Sequence, residues 1–269
     1  RDLHRLIRRQ RQMCIRDRAR VARLQILDTM NSVISQPRPE LSRYAPKLIS
    51  IEIDPELSGK VRLAPVVAEG LKIDNAESLW VVFRPFCTEL AAIYRDVKIG
   101  EVPGIQAARR LYRAIGLDPT RLRPSSEALL RRVLKGNELY RINSLVDTIN
   151  YCSLSYLLPV GLYDLDYVEA ESIVLRKGAS GESFEGIRKD TVNLEGRYAL
   201  FDKTGPFGSP TSDSDRARIR RQTSRALAVI FAPYEMSEKV LAGHAHFTAD
   251  QVSRFGGGHP DTWMGRIAV

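Results

Sequence analysis

Residues 142–166 read INSLVDTINYCSLSYLLPVGLYDLD, and the hydrophobic period changes partway along. Ile142, Leu145, Val146 and Ile149 recur at i, i+3, i+4 and i+7, the spacing of an amphipathic helix. After Pro159 the chain takes on strand character. A helix feeding a strand sets the expectation for the segments on either side. Upstream, Ile49, Ile51 and Ile53 alternate with Ser50, Glu52 and Asp54, a half-buried strand that Pro55 closes. Val61–Val67 and Leu79–Phe83 are rich in β-branched and aromatic residues and read as strands. Leu90–Tyr94 and Ile105–Ile115 have helical spacing, with Gly116 where a left-handed cap is wanted. Ser125 or Ser126 caps a further helix, with Glu127 at its positive end and Gly136 at its close. Downstream, Ser172–Arg176, Tyr198–Phe201 and Ala226–Phe231 read as strands, and Arg216–Arg225 as a helix. With no internal repeat and no regular βαβ alternation, the order points to an α+β fold.

The chain has 269 residues, 43% apolar and 27% charged, which is ordinary globular composition with enough length for a substantial core. No run of about 18 apolar residues occurs, so no membrane span and no membrane partner are expected. No apolar leader with a cleavage site is seen, so no secretion signal is expected. The formal net charge is +9, but residues 1–25 hold nine arginines against two aspartates and so carry +7, leaving +2 for the rest. RRQRQMCIRDR, residues 8–18, resembles translated adapter sequence, and residues 1–18 are read as a non-native leader; a basic arm for nucleic acid is the alternative. Residues 19–44 are read as an N-terminal helical segment, 45–235 as the main domain and 236–269 as a C-terminal extension. Cys14, Cys87 and Cys152 are odd in number and far apart, which excludes a disulfide framework and a cysteine zinc site and suits the cytoplasm.

Several clusters carry possible chemistry. Asn143, Asp147 and Asn150 are four and three apart and share one helical face, a polar stripe opposite the apolar one. The plainer reading is a solvated surface. Gly161 permits close backbone approach, and Asp164 and Asp166 have the same parity on an extended segment. GPFGSPTSDSD, residues 205–215, crowds glycines, hydroxyls and aspartates into one loop; it lacks the lysine and spacing of a phosphate loop. Two basic clusters, Arg109–Arg141 and Arg216–Arg225, hold thirteen arginines and one lysine, and the guanidinium fork suits phosphate oxygens. His244, His246 and His259 form no recognisable metal spacing, so no metal and no cofactor are expected.

Taken together, LYRAIGLDPT (111–120), RPSSEALLRR (123–132), VDTINY (146–151), PVGLYDLD (159–166) and GPFGSPTSDS (205–214) are similar to the B3/B4 domain of the phenylalanyl-tRNA synthetase beta subunit, here without the rest of a synthetase. The resemblance covers roughly residues 45–235. It implies an α+β fold, a β-sandwich-like part beside a helix-flanked mixed sheet. It also implies an editing function, hydrolysis of the ester of a misacylated tRNA, with tRNA as partner. Asn150 matches a pocket asparagine of the editing site. Gly161 stands where the synthetase usually has a histidine, and the glutamate that reads a tyrosine hydroxyl would fall near Val229, so tyrosine specificity is not implied.

The expected site therefore has Asn150 and Asp147 in the chemistry. Asn143, Gly161, Asp164, Gly208, Thr211, Ser212 and Asp213 would line one pocket. Arg109, Arg113, Arg121, Arg123, Arg131, Arg132, Arg218 and Arg221 would hold tRNA phosphates. The alternatives are a tRNA or RNA binder without chemistry and a small-molecule pocket protein on the same fold.

Overall fold

The structure, a computed structural model, describes residues 2–33, 49–169, 173–188, 190–258 and 260–268. Two compact units divide the chain, residues 1–47 and 48–269. In the first, helix α1 spans Asp2–Val33, and its residues 17–33 are exposed throughout. Residues 34–44 of the expected helical segment lie outside the described residues.

In the second unit the apolar alternation builds two four-stranded sheets. One has the order β1 (Ile51–Ile53), β4 (Ile173–Lys177), β7 (Tyr198–Asp202), β8 (Gly205–Gly208). Its β1–β4 pair is parallel and the others antiparallel. The second has the order β10 (Asp261–Met264), β2 (Val61–Glu69), β9 (Arg225–Pro233), β3 (Val160–Asp164), all antiparallel. A short hairpin, β5 (Ser183–Glu185) and β6 (Thr191–Asn193), forms a separate two-stranded sheet that packs Phe184 against Ala199 and Phe201 of β7.

The period-two pattern sends odd and even residues of the second sheet into different cores. Leu63, Val67, Tyr163, Leu227, Val229 and Phe231 meet Leu175, Leu200 and Phe207 of the first sheet in one cluster, which makes the sandwich. Val66, Ala68, Leu162, Ala226, Ala228 and Ile230 pack on the opposite face against α5 (Ser144–Tyr156) and α6 (Glu238–Phe255). The many alanines there let the helices lie close. A third cluster joins α2 (Glu77–Ile93), α3 (Pro103–Ala114), α4 (Ser125–Leu134) and α5. The fold is α+β, a sandwich beside a helix-flanked sheet; the parallel pair lies in the outer sheet.

Two local expectations are corrected. Leu79–Phe83 is helical, inside α2, because Leu79, Trp80, Phe83 and Leu90 bury one side of a helix. Packing there overrides the β-propensity of Val81 and Val82. Arg216–Arg225 is a run of turns ending at the first residue of β9: Arg220 N donates to Thr223 Oγ1 and Thr223 N to Arg220 O, which closes a loop. His244 and His246 lie on α6, with His244 half-buried against Tyr156. His259 falls outside the described residues. The stretch read as an extension, 236–269, contributes α6 and β10 to the helix-flanked sheet.

Candidate functional site

The polar stripe on α5 serves the helix itself. Asn143 is its N-cap, its side chain accepting from Val146 N at 2.9 Å. Asp147 is 1% exposed; it accepts from Trp80 Nε1 at 2.9 Å and from Ile142 N at 3.0 Å. Burial raises its carboxyl above the ordinary range, partly offset by those two donors. Asn150 is half-buried on the same helix. Leu145 and Ile149 pack α5 onto the alanine-rich face of the second sheet.

Gly161 lies on the other face. A side chain there would collide with its neighbour two residues on: a Cβ would stand 2.1 Å from Tyr163 Oη. From the opposing sheet, a Cβ at Gly208 would stand 2.2 Å from Tyr163 Cε1. The phenol is thus clasped between two glycines, with Phe207 edge-on at 4.9 Å. Gly161 pairs across strands with Val229, so the two positions that the resemblance assigns to substrate recognition are neighbours. Tyr163 fills the space above them, and Tyr163 and Val229 are both fully buried.

Tyr163 Oη is buried with no hydrogen-bond partner among the described residues. The group that bears on it is Asp213, half-buried in the 208–214 loop. Burial pushes the Asp213 carboxyl up to about 7, with the Tyr163 hydroxyl lowering it in part. The same burial, reinforced by Asp213, raises the Tyr163 phenol well above its usual value.

The loop that presents Asp213 is held by its own hydrogen bonds. Ser209 Oγ accepts from Thr211 N at 3.3 Å and Ser212 N at 3.0 Å, and Ser209 N donates to Ser212 O at 2.8 Å. Thr211 and Ser212 are therefore turn residues. Tyr112 Oη on α3 donates to Pro210 O at 2.5 Å, and Asp213 bridges back to Gly208. Tyr112 and Tyr163 are apolar-cluster residues that sequence patterning hides; their hydroxyls have no sequence signal.

The expected pocket does not close as one cavity. The second sheet separates α5 from Gly161, Gly208 and Asp213. Asp164 is also elsewhere: opposite in parity to Tyr163 and 1% exposed, it accepts from Thr223 Oγ1 at 2.5 Å and Asp166 N at 3.0 Å, tying the 215–224 turns to β3. Two depressions of about 350 and 390 Å³ are lined by other residues, the first including Trp80, Cys87 and Leu139, the second Glu185, Thr204 and Arg216. The described residues hold no group of three metal-ligating side chains.

The arginines differ in how far the protein's own groups engage them. Arg109 is clamped on Glu127, Nε and Nη2 each at 2.8 Å. Arg131 Nε meets the same carboxylate at 2.9 Å, and Arg123 Nε stands 3.8 Å away. Arg132 Nε donates to Glu138 O, and its guanidinium lies over Tyr140. Arg218 pairs with Asp215 at 2.9 Å, and Arg221 donates to Asn75 Oδ1 at 2.8 Å. Arg121 is exposed and only loosely paired to Asp118 at 3.8 Å; Arg113 is exposed.

Comparison with known proteins gives one family match, to the B3/4 domain over residues 107–246, just over half of the chain. Among solved structures, an N-terminal fragment of the phenylalanyl-tRNA synthetase beta subunit from Pyrococcus horikoshii is similar, with 14% identity and a TM-score of 0.45 over 87% of this chain and 54% of that one. Curated relatives named polyribonucleotide nucleotidyltransferase match short stretches. The one from Gloeothece citriformis is 60% identical over 45 residues, 17% of this chain and 6% of that protein. The one from Crocosphaera subtropica is 58% identical over 88 residues, 30% of this chain and 12% of that protein. The chain spans only 6–13% of the first of these curated relatives.

Proposed function

From the premise that the chain belongs to the B3/4 domain family, we propose that it is a tRNA-binding module that hydrolyses the ester of a misacylated tRNA in trans. The observation that supports this reading is the pair formed by Asp213 and Tyr163. A carboxyl with proton affinity near neutrality is suited to general-base work at physiological pH. The buried Tyr163 hydroxyl completes no hydrogen bond of good geometry among the described residues, and Asp213 is the group that bears on it.

In the proposed reaction Asp213 accepts a proton from water as the water oxygen bonds to the ester carbonyl carbon. The carbon–oxygen bond to the ribose then breaks, and the proton passes to the leaving ribose hydroxyl. The Tyr163 hydroxyl donates to the carbonyl oxygen as negative charge develops there. An aminoacyl ester is already activated, so positioning and one base suffice. Asn143 and Asp147 have structural duties on α5, so the catalytic role moves to Asp213; Asn150 is left as a contributor to tRNA-end binding. No metal or cofactor enters this scheme.

The second reading, a tRNA binder without chemistry, draws on the phenol of Tyr163 filling the space above Gly161 and Val229. Incubating the purified chain with a panel of correctly and incorrectly charged tRNAs separates the two. Release of amino acid from a mischarged tRNA, lost on Asp213→Asn, supports hydrolysis. Binding without release supports the second reading.

A further inference from the structure

Three guanidiniums meet one carboxylate in the helical layer. Arg109 comes from α3, Arg131 from α4, and Arg123 from the connection between them. Glu127 has a side chain with no exposed surface, whereas those of Arg109, Arg123 and Arg131 are 19%, 47% and 37% exposed. Burial alone would raise the Glu127 carboxyl, but hydrogen bonds from Arg109 and Arg131 hold it below its ordinary value, so it carries its full negative charge. One negative charge against three positive ones leaves a surplus of two.

The donors are also in surplus. Each guanidinium has five N–H groups. Glu127 occupies two of Arg109 and one of Arg131, and it lies beyond hydrogen-bonding distance of Arg123. The unspent donors of Arg123 and Arg131 reach solvent, while Glu127 restrains Arg131 and, through charge, Arg123. Restraint by a buried acid lowers the entropy lost when such side chains grip an anion.

The position is informative. Arg109 and Tyr112 are three residues apart on α3, a rise of about 4.5 Å, and Tyr112 holds the loop that presents Asp213. The cluster therefore includes one residue of the helix that braces the candidate site.

We propose that Arg123 and Arg131, gathered with Arg109 on Glu127, form a binding site for an internucleotide phosphate of single-stranded RNA. The identity of the polymer rests on the tRNA reading above. The site itself is read by binding of uncharged RNA, so its failure is distinct from failure of ester hydrolysis.

The test measures binding of a labelled single-stranded RNA ending in CCA to the full chain across a salt series, with inorganic phosphate as competitor. The double variant Arg123→Gln/Arg131→Gln should bind on the order of tenfold more weakly, and the slope of log affinity against log salt should fall by about 0.7, the value for one phosphate contact on a single strand. Glu127→Gln gives a sharper contrast. Net charge alone predicts tighter binding for this more positive variant, whereas a site organised by Glu127 predicts weaker binding. A double variant with an unchanged melting temperature, affinity and salt slope would overturn the proposal. So would a cluster that takes up inorganic phosphate while RNA affinity ignores the double variant.

Discussion

Gly161 and Gly208 show how one side chain dictates the residues around it. The phenol of Tyr163 lies between two backbones so closely that neither position has room for a Cβ. Its hydroxyl, on which Asp213 bears, nevertheless completes no hydrogen bond of good geometry among the described residues, an arrangement that costs stability in a buried group. Tyr163→Phe removes the unsatisfied group and keeps the shape, so stability in urea should be unchanged or rise by up to about 1 kcal/mol. If the hydroxyl serves the reaction, the same variant loses deacylation. A drop in stability of more than about 1 kcal/mol would mean that the hydroxyl is satisfied in solution.

Asp213 yields a second expectation at this scale. Its folded carboxyl is raised to about 7, whereas an unfolded aspartate titrates near ~3.9. The folded state therefore binds the proton more tightly, and stability falls as pH rises from the unfolded value to the folded one. Asp213→Asn removes this dependence. Its stability relative to the parent should be most favourable above about pH 7 and should decline toward pH 4, as followed by thermal melts. A difference independent of pH would place the Asp213 carboxyl in an ordinary solvated setting. Neither Tyr163 nor its contact with Asp213 was legible in the sequence. A tyrosine in a strand reads as core, and the convergence joins residues 50 apart in the chain.

Helix α5 shows both what spacing reveals and what it hides. The apolar repeat correctly gives a helix with Leu145 and Ile149 inward. Of the Asn143, Asp147, Asn150 stripe, capping and the Trp80 hydrogen bond account for the first two members. Sequence supplies residue types at a cap as readily as at an active site, and only the partners distinguish them. Asn143→Ala should cost about 1 kcal/mol of stability, as N-cap losses do, while leaving the deacylation rate per folded molecule unchanged. A large loss of rate in that variant, measured beside its melting curve, would return the α5 face to the chemistry. Gly116 and Gly136 were readable, each at positive φ just past a helix. Leu79–Phe83 was not, because Val81 lies on the exposed side of α2 and the apolar contacts of its neighbours come from distant segments.

For the whole molecule, the division into residues 1–47 and 48–269 bears on the basic N-terminus. The sandwich, helices α2 to α6 and every residue of the candidate site lie in the second unit. A chain of residues 48–269 should keep the cooperative melt of the longer one within a few degrees and retain its RNA affinity. A loss of either would give the first unit a part in the fold or in binding. The α+β mixture was legible as strand-rich segments around a helical middle, whereas the sandwich was implied only by the family resemblance. Which faces oppose each other was not, since period-two alternation gives two faces without naming their partners.

The most direct measurement of the central claim is the rate of amino-acid release from mischarged tRNA as a function of pH, for the parent and for Asp213→Asn. The account predicts a rate that rises toward a plateau above about pH 7, and a variant slowed by roughly a hundredfold or more with tRNA binding intact. Release that is equally fast in the variant, or absent from the parent across the whole panel while tRNA still binds, would contradict it.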